Sequence, residues 1–122
     1  MTHAPSDIEI YLLKADPQAV KDWLSSSVGP VEEVAETDIG FKWRCEDMDI
    51  LFTPRAEGNF DCLWIKQNHT PWGSDLECAR SAHNVLNTEI RCAAEEWSES
   101  ESNDNPGWIK LTRGQEKPFD WQ

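Results

Sequence analysis

Ser74-Asp75-Leu76-Glu77-Cys78-Ala79-Arg80-Ser81-Ala82-His83-Asn84-Val85-Leu86-Asn87-Thr88-Glu89-Ile90-Arg91-Cys92-Ala93-Ala94 decides the fold of this 122-residue chain. Ser74 with Glu77 three residues on is a capping box, in which each side chain reaches a free backbone N–H of the first helical turn. Read as one helix, Leu76, Ala79, His83, Leu86, Ile90, Ala93 and Trp97 align at three- and four-residue spacing. Against that stand Asn84, Asn87 and Thr88, weak helix formers, and Asn87 suits a left-handed C-terminal cap. Beyond Asn87 the chain alternates, Glu89 and Arg91 outward against Ile90, Cys92 and Ala94. The preferred reading is a helix over 75–86 followed by a strand, with 88–97 as helix the alternative.

The upstream sequence repeats this arrangement. Ile8-Glu9-Ile10-Tyr11-Leu12 alternates as a strand with Ile8, Ile10 and Leu12 inward. Asp16-Pro17 starts a helix, with Asp as cap and Pro at a position whose N–H is not needed. Val20, Trp23, Leu24 and Ser27/Val28 trace its apolar face, and Gly29-Pro30 predicts a left-handed cap and a stop. Both segments, Asp16 to Gly29 and Ser74 to Asn87, run 13 residues from cap to cap. Strands follow at 31–36, 40–45, 49–53 (ending at Pro54) and 60–66, the last apolar enough to be central, and a final one at 106–112. Together these predict a single α+β domain spanning 1–122, with a flexible N-terminus 1–6 and an acidic loop 98–105. Its sheet is mixed and mostly antiparallel, with two helices packed on one face and two tandem βαββ halves.

Charge sorts the functions. Acidic residues number 23 against 11 basic, for a net charge of −12. Residues 32–49 carry −5 and residues 74–104 carry −6, while 50–73 are neutral and 105–122 carry +1. Such a field excludes general nucleic-acid binding by phosphate neutralisation and attracts basic partners. Seven tryptophans exclude a disordered tail. No apolar run approaches the roughly 20 residues that span a bilayer, and the N-terminus has neither a basic n-region nor an apolar h-region. The chain therefore reads as cytoplasmic. Its cysteines, Cys45, Cys62, Cys78 and Cys92, stand 17, 16 and 14 apart with no C-x-x-C pair, so they read as small buried hydrophobes. No metal or cofactor is expected.

The block Thr70-Pro71-Trp72-Gly73-Ser74-Asp75-Leu76-Glu77-Cys78-Ala79-Arg80, with Glu89-Ile90-Arg91-Cys92 and Trp97, resembles a family of small uncharacterised bacterial proteins over the second half of the chain. Asp104-Asn105-Pro106-Gly107-Trp108 is similar to a tryptophan-containing segment of some bacterial toxin-immunity proteins. That likeness, over five residues, raises the expectation of an immunity-type role and carries no function across by itself.

Two constellations are candidates for function. Glu95, Glu96, Glu99, Glu101 and Asp104, flanked by Trp97 and Trp108, form an uncompensated acidic stretch beside indoles that can anchor a partner. His69, Trp72 and His83 could instead line a small-molecule or catalytic pocket. His83 also suits a hydrogen-bonded place at the core boundary. Trp23, Trp43 and Trp64 are expected in the core, whereas Trp72, Trp97, Trp108 and Trp121 either pack or serve as anchors. No phosphate loop, nucleophile elbow or H-E-x-x-H occurs. The sequence thus points to a non-catalytic acidic protein binding a basic protein partner, of immunity, inhibitor or nucleic-acid-mimic type. A pocket around His69, Trp72 and His83 is the alternative.

Overall fold

A computed structural model of the chain describes residues 7–67, 69–93 and 107–119. The decisive stretch folds as helix, left-handed cap and strand. Ser74 Oγ accepts from the Glu77 N–H at 3.2 Å, and the helix runs Asp75–Leu86 (α2). Glu77 completes a variant of the box, accepting at 2.9 Å from Gly73 N–H rather than from the cap residue itself. Asn87 takes φ 62°, ψ 35° and donates to the His83 carbonyl, after which Ile90–Ala93 is a strand (β6).

Ile8–Leu13 is β1 and Pro17–Ser27 is α1, whose Asp16 cap accepts from Ala19 N–H. Strands β2 (Val31–Glu36), β3 (Phe41–Cys45), β4 (Met48–Glu57) and β5 (Phe60–Ile65) follow. After α2 and β6 come β7 (Trp108–Thr112) and β8 (Gln115–Phe119). The strand order is β2-β3-β4-β5-β1-β6-β7-β8, and every neighbouring pair is antiparallel. The sheet is therefore not mixed. The reason lies in where the crossovers land. Each helix returns the chain in the direction it left, but β2 lies four places from β1, and β6 lies beyond β1 from β5.

Alternation along each strand sends one set of side chains into a single core: Ile8, Ile10, Leu12, Trp43, Ile50, Phe52, Leu63, Ile65, Ile90, Cys92, Ile109 and Leu111. Val20, Trp23 and Leu24 of α1 and Leu76, Cys78, Ala79 and Ala82 of α2 join the same cluster. Trp23 Nε1 donates to Ser81 Oγ at 2.9 Å, tying one helix to the other.

Four expectations need correction. Gly29 is not left-handed; α1 ends at Val28 (φ −121°), and a Cβ on Gly29 would press on the Glu46 carboxylate. β4 does not stop at Pro54, because its ladder to β5 lapses between Thr53 and Glu57 and leaves the proline N without a bond to make. Trp64 is not core: Leu63 and Ile65 take the inward places on β5, so Trp64 shares the opposite face with Leu51 and Glu9. β8 has no counterpart among the expected strands. It follows a two-residue turn, Arg113-Gly114, in which both residues have positive φ. Residues 1–6, expected to be flexible, and 98–105, expected to be an acidic loop, lie outside the described residues.

Candidate functional site

The acidic stretch 32–49 gathers on one flank of the sheet. Its residues form β2, β3 and the start of β4, three consecutive strands at one end of the order, so charges far apart in sequence become neighbours. Some are compensated: Lys21 pairs with Glu33, and Arg44 bonds Asp49 at 2.9 Å. Glu32, Glu36, Asp38, Glu46 and Asp47 are exposed and make no ion pair among the described residues.

Beside this flank lies a hollow of about 170 Å³ lined by Thr37, Ile39, Gly40, Phe41, Lys42, Leu51 and Thr53. The β2–β3 connection that borders it is well bonded. Thr37 N–H donates to the Gly40 carbonyl at 2.8 Å, and Thr37 Oγ1 accepts from the N–H groups of Ile39 and Gly40. Gly40 is required there, since a Cβ would collide with the Phe52 carbonyl oxygen across the ladder.

Of the sequence-derived candidates, Glu95, Glu96, Trp97, Glu99, Glu101 and Asp104 lie outside the described residues. Trp108 is half-buried on β7, edge-on to Tyr11 with ring centroids 5.8 Å apart. The second constellation is not brought together. His69 is exposed, its N–H against Met48 Sδ, while Trp72 is buried and stacks on Trp23 at 5.2 Å. His83 lies about 14 Å along α2 from its Ser74 cap, at 1.5 Å rise per residue. Its Nδ1 bonds the Thr88 carbonyl at 2.9 Å and its Nε2 accepts from Gly114 N–H at 3.0 Å. The neutral Nδ1–H tautomer satisfies both contacts, and neither nitrogen is left for a substrate. A cleft of about 450 Å³ does border His83, with Arg80, Ser81, Asn84 and Glu116 among its walls, but neither His69 nor Trp72 lines it. Arg80 there is held by a bidentate pair with Glu116 at 2.7 and 3.1 Å.

The cysteines are held as thiols. Burial first, then the neighbouring Glu9 carboxylate, pushes Cys62 up to about 12, and burial with Asp75 and Glu116 pushes Cys92 up to about 12. Cys78 and Cys45 move the same way, chiefly by burial. Arg44 and Arg91, adjacent in sequence to Cys45 and Cys92, bond Asp49 and Glu89 instead. Among the described residues no three metal-ligating side chains converge, and no helix is long and apolar enough to cross a membrane.

Two features had escaped sequence reading. The hollow joins residues of two strands and their connection, so no local pattern announces it. Asp61 is buried at 5 % exposure and accepts from Ala15 N–H at 2.8 Å and Arg55 N–H at 2.9 Å. An acid inside the apolar run Phe60-Asp61-Cys62-Leu63 was the available signal. No family model, curated protein or solved structure matches the chain.

Proposed function

We propose that this chain is a non-catalytic protein that binds a basic protein partner, of the immunity, inhibitor or nucleic-acid-mimic type. One observation carries the reading: β2, β3 and the start of β4 collect, on a single flank of the sheet, exposed carboxylates that make no ion pair among the described residues. Clustered like charges on a fixed surface raise the encounter rate with an opposite surface and exclude like-charged partners. The acidic stretch 95–104 is proposed as a second contact for a basic partner. The likeness of 104–108 to a segment of toxin-immunity proteins points the same way. Two details of architecture belong to this reading. That both helices pack on one face of the sheet is proposed, supported by their buried residues sharing one core and by the Trp23–Ser81 hydrogen bond. The chain runs strand, helix and three strands twice over, one strand more in each half than the βαββ units expected, and tandem halves remain a proposal in that longer form.

Capture from a cell lysate at low and at high salt tests the function. Basic proteins recovered at low salt and released at high salt are expected, with capture reduced by Glu99→Lys with Glu101→Lys. Recovery of no salt-sensitive basic protein would overturn it.

A further inference from the structure

Among the described residues β2 stands last in the strand order and is bonded only to β3, which leaves it as an edge of the sheet. The other edge, β8, carries Lys117 and Pro118, residues that discourage a further strand from pairing. β2 has no proline, and residues 32–39 are all exposed. Two of the three large apolar side chains most exposed in the described residues lie here, Val34 at 52 % and Ile39 at 73 %. Val34 falls where the register to β3 shifts between Glu33 and Ala35, and Ile39 is held outward by the Thr37 hydrogen bonds.

Resting on the reading above, we infer that β2 takes up an extended basic segment of the partner as an added antiparallel strand, with one apolar side chain of that segment against the exposed Ile39 beyond the end of β2. Strand addition supplies affinity through backbone hydrogen bonds and specificity through pockets for alternate side chains. Charge selects the occupant. A second copy of this chain pairing edge to edge would set Glu32, Glu33 and Glu36 against their own kind, and like charges across a ladder destabilise it. A strand carrying Lys or Arg meets Glu32 on the face of β2 shared with Arg44, and Glu33 and Glu36 on the face shared with Trp43 and Phe41, so its basic residues find carboxylates on either side.

The probe is an alternating lysine–valine octapeptide titrated into the isotope-labelled full chain, with amide shifts followed residue by residue. Shifts concentrated on residues 31–39 are expected, and the same peptide N-methylated at alternate residues, unable to complete a ladder, should lose binding. Ile39→Ser, at an exposed turn position, should weaken the peptide about tenfold while leaving the remaining amide spectrum unchanged. Shifts elsewhere, equal binding by the N-methylated peptide, or unaltered affinity in Ile39→Ser would overturn the edge assignment while leaving the basic-partner reading intact. Concentration-dependent shifts of β2 without peptide would overturn it in favour of a second copy. If no basic peptide binds and lysate capture also fails, both readings fall together.

Discussion

Asp61 joins three segments through one carboxylate. Its two oxygens serve the N–H groups of Ala15, between β1 and α1, and of Arg55, where β4 leaves its ladder. Replacing it by alanine leaves both donors without that acceptor, and we expect Asp61→Ala to lower unfolding free energy by about 3 kcal/mol in urea titration. A loss under about 1 kcal/mol would show that water replaces the carboxylate freely. The tryptophans give a second comparison. Trp23 Nε1 is bonded to Ser81, whereas Trp43 Nε1, equally buried, meets no hydrogen-bond partner among the described residues. Trp23→Phe should therefore cost about 1 kcal/mol more than Trp43→Phe, a ranking that thermal or urea unfolding reads directly. The thiols set an alkaline limit. Cys62 and Cys92 ionise near 12 when folded against an ordinary 9.0, so the unfolded chain releases these protons first as pH rises. Their contribution is complete below about 9 and is lost between about 9 and 12, so stability should fall through that window. Cys62→Ser should flatten the fall, and an unchanged slope would remove the thiol from the account.

At the scale of elements, much was legible because local chemistry agreed with the outcome. Asp16-Pro17, Ser74 with Glu77, and Asn87 placed both helices, and alternation placed β1, β3 and β6. What the sequence hid depends on contacts between distant segments. Trp64 looks inward in an apolar run until Leu63 and Ile65 are seen to hold the core side of β5. Pro54 reads as a strand end unless the lapse in the β4–β5 ladder is known. His83 is legible as a bonded boundary histidine, but its partner Gly114 sits 31 residues away on the β7–β8 turn, beyond the last strand that the sequence predicts. We expect His83→Ala to cost about 1–2 kcal/mol and to speed amide exchange at Gly114, whose N–H would lose its acceptor. Unaltered exchange at Gly114 would show that the turn holds without the imidazole. Gly40 belongs here too: with the Phe52 carbonyl against it, Gly40→Ala should destabilise the β3–β4 pair by about 1–3 kcal/mol.

For the whole molecule, strand order changes the meaning of charge. In sequence the −12 is two acidic stretches on a nearly balanced chain. In the fold, one of them becomes the flank β2-β3-β4, beside the sheet edge that carries no proline. No pattern within residues 32–49 reveals that β2 is an edge, because that follows from β1 and β5 occupying the centre. The most direct measurement of the central claim is the salt dependence of basic-partner capture by the wild-type chain and by Glu32→Lys with Glu36→Lys. Both positions are exposed and unpaired among the described residues, so the double variant should keep its fold. The account predicts strong low-salt capture by the wild type, lost at high salt, and a loss of about tenfold or more in the variant at low salt. Equal capture by the two proteins at low salt would contradict it.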